Sequence, residues 1–363
     1  MNQTLLMIGT RKGLWLARSD AAREQWTLDG PHFLMNEVTA CAIDSRGDTT
    51  RLLSGAMSSH WGPQVFRSDD LGATWQETPN GAIRFPEDTG AALEQVWQLA
   101  LGPDDEPGLV YAGTQPSALF RSGDGGQTFD MVRSLWDHPH REKWGAGFGG
   151  QAIHTILPGL EDKAAMTVAM STGGVYQTSD CGESWHPANV GVKAYFMPDP
   201  WPEFGQCVHK VAQHPSMPER MYLQNHHGVY RTEDGGSSWQ SIAEGLPSDF
   251  GFPIVVDPQD VDTVYVFPLV ADSQRIPPEG KPRVWRSRDA GSTWSELSQG
   301  LPEDGFFAGV MRDAMAADNA SPTGLYLGAR DGSVYASNDA GDSWRLVAQH
   351  LPDVLCVRAA VLG

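Results

Sequence analysis

The sequence is poor in cysteine, in basic side chains and in long apolar runs, and each shortage excludes a class of protein. Four cysteines in 363 residues (Cys41, Cys181, Cys207 and Cys356) are too few for a disulfide framework, and no CxxC pair suggests a thiolate zinc site. The 26 Lys and Arg against 45 Asp and Glu leave a net charge of −19. So acidic a chain is not expected to bind nucleic acid, which needs basic surface against phosphate, or to dock on an anionic membrane. No apolar stretch reaches the roughly 18 residues of a membrane span. The start, MNQTLLMIGTRKG, has no basic segment followed by a long apolar run. The expectation is a cytoplasmic protein with reduced thiols and a small-molecule partner.

What is abundant points to turns. The chain has 40 Gly, 25 Pro and 13 Trp at 40% hydrophobic content, which excludes a long-helix protein and suits a folded one. An eight-residue pattern, Ser/Thr-x-Asp-x-Gly-x-Ser/Thr-aromatic, starts at Ser68, Ser122, Thr178, Thr232, Ser287 and Ser337, at spacings of 54, 56, 54, 55 and 50 residues. A fixed period of this size signals a repeat architecture. The Asp can accept from backbone N–H groups further on, the Gly provides a left-handed backbone, and the aromatic inserts between strands. An aromatic (Phe66, Phe120, Tyr176, Tyr230, Trp285, Tyr335) stands two residues before each motif, so the unit reads strand, turn, strand.

A worn seventh copy opens the chain at Gly13-Leu14-Trp15 and lacks its own first strand. Asp353–Ala359 at the chain end supplies it. The expectation is a single all-β domain, 1–363: a seven-bladed β-propeller whose C-terminal strand completes the N-terminal blade and closes the ring.

The motifs resemble the Asp-box repeats of bacterial neuraminidases, found in sialidases, sortilin-type receptors and bacterial sialidase-like or glycosyl-hydrolase-like propellers. The resemblance covers the whole chain. It implies the propeller fold and Asp boxes that face away from the central site, so the six Asp residues are read as structural. The chemistry does not follow from the fold.

A site is expected where the first strands of the blades begin. Aligning those strands gives Thr39, Trp97, His154, His209, Phe252, Arg312 and Leu355. Glu37, Glu94, Gln95, Gln151, Lys210 and Asp313 lie beside them. The second turns add Arg11, Lys12, His60, Gln115, His226, His227 and Arg330. The leading reading is an enzyme, a hydrolase or lyase, on a small polar or anionic, sugar-like substrate. His154 or His209 is its general base, tuned by Glu94 or Asp313. Arg11, Lys12, Lys210, Arg312, Arg330 and Trp97 contact the substrate. A second reading is a divalent transition metal held by His60, His154, His209, His226 and His227. A third is a non-enzymatic binding scaffold.

A sialidase proper is not expected. The resemblance would require an Arg-Ile-Pro motif near the chain start and an axial Tyr. Here Arg275-Ile276-Pro277 falls in the sixth repeat and reads as coincidental. Three segments, Trp136–Gln151, Tyr195–Cys207 and Ala271–Pro282, are longer than a propeller requires, and the first two suit a lid or pocket rim. His138 and His140 lie in the first. The glycine run 145–150 there precedes a strand rather than a helix, which argues against phosphate binding.

Overall fold

A computed structural model describes residues 3–78, 81–147 and 150–363. Phe148 and Gly149 of the glycine run, and Met1 and Asn2 at the start, lie outside the described residues. The fold is an all-β propeller of seven antiparallel four-stranded sheets. Among the described residues no helix is long and apolar enough to cross a membrane.

The chain divides into two compact units. The first unit, residues 1–32, 190–201 and 209–363, carries four of the sheets. One of them joins Gln3–Thr10, Gly13–Asp20 and Thr27–His32 to the C-terminal strand Val354–Leu362. That strand pairs antiparallel with the first, from Gln3 opposite Leu362 to Thr10 opposite Val354. The others begin with Val208–His214, Phe250–Asp257 and Met315–Ala317. The core of this unit is built on Leu6, Ile8, Tyr265, Phe267, Tyr326 and Leu327, all fully buried. The second unit, residues 33–189 and 202–208, carries three sheets, which begin with Glu37–Asp44, Gln95–Leu101 and Ile153–Pro158.

The repeated motif folds the same way six times. The Ser/Thr hydroxyl that opens it donates to one carboxylate oxygen of the Asp at 2.7 Å in every copy. The same hydroxyl accepts from the Gly N–H. The other carboxylate oxygen accepts from the second Ser/Thr hydroxyl, as Asp70 does from Thr74 at 2.6 Å. The residue before the Gly is also left-handed, including Leu71, Cys181, Ala290 and Ala340 at φ between 56° and 61°. The strain of those non-glycine residues is offset by the carboxylate's hydrogen bonds.

Where the first strands begin, the pairing register slips. In the second unit it skips Thr39, Trp97 and His154. In the first unit it skips Leu355, and it skips Phe252 together with Pro253. These are five of the seven positions that the repeat alignment selects. A bulge leaves its residue unpaired in the ladder and re-aims its side chain.

Candidate functional site

In the first unit, the strand Val208–His214 buries His209 near its start. The imidazole stacks on Phe252, with ring centroids 4.6 Å apart, and meets the edge of Phe250 at 5.5 Å. Its Nδ1 lies 2.5 Å from the Gly251 carbonyl oxygen. A carbonyl only accepts, so Nδ1 bears the proton and Nε2 the lone pair. Residue 251 has to be glycine for this approach, because a Cβ there would lie 2.8 Å from the Phe267 carbonyl oxygen. Burial and then the positive Arg312 push the His209 pKa well below its usual 6.5, which keeps the ring neutral.

Two guanidinium groups converge on the same phenyl ring. The Arg275 and Arg312 carbons lie 5.3 and 5.8 Å from the Phe252 centroid. Beside them is a cavity of about 350 Å³ lined by Phe252, Arg275, Phe307, Met311, Arg330 and Asp353. Arg330 grips the Asp353 carboxylate at 2.7 and 3.1 Å, and Arg11 approaches the same group at 3.6 Å. Lys12 is exposed in the adjacent turn.

A row of rings leads away from this cluster. His226 lies 5.5 Å from His209, His227 lies 4.7 Å from His226, and Tyr195 lies 5.0 Å from His227. His226 Nε2 sits 3.3 Å from Asp272. Burial lowers the pKa of both His226 and His227. Tyr195, Phe196 and Trp201 are exposed on the segment 190–201. That segment is pinned where Asn225 donates to the Lys193 carbonyl at 2.7 Å. The Lys193 ammonium lies 5.1 Å from the Tyr195 ring and 5.3 Å from the Trp201 ring.

Asp313 is committed to cations. Lys210 donates to it at 2.8 Å, and Arg358 reaches the same oxygen. Burial alone would raise its pKa, but Lys210 and Arg358 outweigh burial and hold it well below the usual carboxylate range.

The second unit presents a different surface. Trp97 Nε1 donates to Gln115 Oε1 at 3.1 Å, and Gln115 Nε2 donates to Glu94 at 2.8 Å. Gln95 donates to Glu37 at 3.3 Å. His154 is fully buried, with Nδ1 3.3 Å from the Thr155 hydroxyl. His60 is exposed in a turn, where its backbone N–H donates to Ser58. His138 and His140 are packed against aromatic side chains and the backbone. His140 Nδ1 lies 3.0 Å from the Tyr176 hydroxyl and its ring stacks on Phe204 at 4.0 Å, while His138 Nε2 meets the Trp185 carbonyl at 3.2 Å. The segment that contains them is packed against the sheets by its own aromatic side chains.

Among the described residues, His60, His154, His209, His226 and His227 bring no three ligand atoms within one shell. From this set His226 neighbours both His209 and His227 in the first unit.

Sequence reasoning missed Arg275 and Phe250. The available signal for Arg275 was the Arg-Ile-Pro motif, set aside because of its position in the chain. The structure brings that arginine back onto Phe252 through the long turn 271–282.

No family model matches the chain. It is 25% identical over 237 residues to a xyloglucanase of Paenibacillus sp., spanning 55% of this chain and 21% of that protein. It is 22% identical over 347 residues to the xyloglucanase Xgh74A of Acetivibrio thermocellus, spanning 90% of this chain and 35% of that protein. The chain thus covers only a fifth to two-fifths of the length of the curated relatives it matches. Among solved structures, an ancestral GH74 enzyme aligns with a TM-score of 0.60 at 18% identity, over 86% of this chain and 38% of that one. YCF48 bound to a D1 peptide aligns with a TM-score of 0.54 at 15% identity, over 85% of this chain and 81% of that one. The chain is therefore a propeller with GH74 xyloglucanase-like relatives.

Proposed function

We propose that the chain is a carbohydrate-acting enzyme whose site in the first unit takes an anionic, sugar-like substrate. One observation carries the reading: Arg275 and Arg312 converge on the Phe252 ring, on which the neutral His209 is stacked, and Phe252 and Arg275 line a cavity of about 350 Å³. Paired guanidinium groups suit a carboxylate, and an aromatic face suits the apolar side of a sugar ring. The xyloglucanase relatives bring polysaccharides into the class of substrates to test. In this reading Arg275, Arg312 and Arg330 bind the anion, with Lys12 and Arg11 at the rim. His209 Nε2 is the base.

Calorimetric titration with acidic and neutral oligosaccharides of matched length tests this. The acidic ligand is expected to bind more tightly, and its affinity to fall as salt rises. Equal binding of both, or binding of neither, would remove the reading.

A second reading is a peptide-binding scaffold. It is supported by the likeness to YCF48, which was solved with a peptide bound and 81% of which the alignment covers. The exposed Tyr195, Phe196 and Trp201 edge fits such a role. Titration with acidic peptides in the same format separates the two.

A further inference from the structure

The reading of the first-unit site as one for an anionic, sugar-like substrate leaves the bond-breaking chemistry open, and this inference rests on that reading. Hydrolysis by a pair of carboxyl groups needs one of them to hold a proton for the leaving oxygen while the other acts as base or nucleophile. The acidic side chains here are placed otherwise. Asp272 faces His226, Asp353 faces Arg330 and Arg11, Asp313 faces Lys210 and Arg358, and Asp331, which lines the cavity with Asp353, accepts from the Ser333 backbone N–H. Each carboxylate is turned toward a nitrogen donor instead of toward a second carboxyl. The group that stands unprotonated at a ring nitrogen is His209, its tautomer fixed by the Gly251 carbonyl.

A neutral imidazole beside two guanidinium groups matches a different reaction. A sugar acid carries its most acidic C–H next to the carboxylate. Removing that proton pushes negative charge onto the carboxylate oxygens, where fixed cations stabilise it most. We propose that the site cleaves uronate-containing saccharides by β-elimination, with Arg275 and Arg312 on the carboxylate and His209 Nε2 as the base.

The step balances without an oxidant, a reductant or water. His209 Nε2 takes the C5 proton. The C5–H electron pair becomes the C4=C5 double bond. The C4–O bond breaks, and its electron pair leaves on the oxygen of the departing sugar, which takes up a proton from the imidazolium or from solvent. The products are a 4,5-unsaturated uronide and a new saccharide end.

The surroundings of His209 favour this assignment. Burial and then Arg312 depress its basicity. A bound carboxylate offsets that positive charge and restores basicity as the substrate arrives. The rings from His226 to Tyr195 and Trp201 extend the site beyond the cavity, so a chain of several sugars fits better than a monosaccharide.

The test uses the full chain with 4-linked uronate oligosaccharides, and with xyloglucan oligosaccharides as the neutral comparison. Two readouts run together: ultraviolet absorbance from the C4=C5 bond conjugated to the carboxylate, and reducing ends. The expected result is that both rise in equal amounts on uronates alone. H209Q is expected to lower the rate by roughly a hundred- to ten-thousand-fold while calorimetric affinity stays within about threefold. R275Q, at a partly buried position, is expected to weaken affinity as well as rate. Reducing ends without absorbance would overturn elimination while leaving the anionic site standing. Binding without either signal would do the same. No binding of uronates at all would overturn the site reading itself.

Discussion

His154 in the second unit and His209 in the first hold matching places in their blades, each buried near the start of a sheet's first strand. The two units differ in the sign of the side chains that they present. Around His209 stand Arg275 and Arg312, with Phe250, Phe252 and His226. The corresponding turns of the second unit contribute Glu37, Glu94, Gln95 and Gln115, linked by amide-to-carboxylate hydrogen bonds. The first unit therefore gathers cationic and aromatic side chains at its site, and the second unit gathers acidic and amide side chains. The repeat fixes where a side chain is presented, and the residue type alone decides what it can bind.

The contrast can be broken at several points. The largest effect is expected from D313A, which strands the largely buried Lys210 without its 2.8 Å partner and removes the carboxylate under Arg358. Loss of one member of a buried ion pair costs about 3–5 kcal/mol, and urea denaturation reads it. E94Q in the second unit leaves only a neutral amide beside Gln115 and is expected to change stability by less than about 1 kcal/mol.

Next in size is ligand affinity. R275Q is expected to weaken an acidic oligosaccharide by roughly tenfold or more, as removal of a charge-assisted contact does. E94Q is expected to leave that affinity unchanged. If E94Q matches R275Q, the division of labour between the units fails.

A pH effect follows from the buried imidazoles. The pKa of His209 is lowered in the folded chain relative to 6.5, so the unfolded chain binds more protons once pH falls below about 6.5. The stability contributed by neutral His209 is complete above that value and declines as pH falls toward the depressed folded pKa. Denaturation between about pH 7.5 and about pH 5.5 is expected to show the decline, and H209Q to flatten it. His226 and His227 shift in the same direction and supply the part of the slope that H209Q leaves.

The smallest effect is expected in the repeated turn. Hydrogen bonds from Ser184 and Thr178 lower the pKa of Asp180 from 3.8 to about 2. Its contribution is present above 3.8 and lost as pH falls through about 2. D180N is expected to melt lower than the parent chain at neutral pH, and the gap in melting temperature to close near pH 2.

Much of the fold was legible because the repeat is local. An Asp, a Gly and two hydroxyl residues within eight positions specify a turn by contacts with one another, and the period then fixes the strands between turns. The position of Trp97, His154, Phe252 and Leu355 at the bulges was legible for the same reason. Arg275 was not, because what places it is a fold-back of the turn 271–282 onto a phenyl ring carried by an earlier strand. His138 and His140 show the converse: residues that chemistry singles out are held in an aromatic cluster with Tyr176 and Phe204.

Few cysteines, excess acid and the absence of long apolar runs bounded the chain from composition alone, and the six turns determined its blades. Those features are local or additive, so order along the chain is enough to read them. Tertiary structure decided the rest. It set His209 against the Gly251 carbonyl, turned Asp313 onto Lys210 and Arg358, and drew two guanidinium groups to one ring in a chain whose net charge is −19. The physical reason is range. Composition sets the average field of the molecule, whereas the charge and protonation of a site depend on the few groups within several ångströms of it, and only the folded chain brings those together.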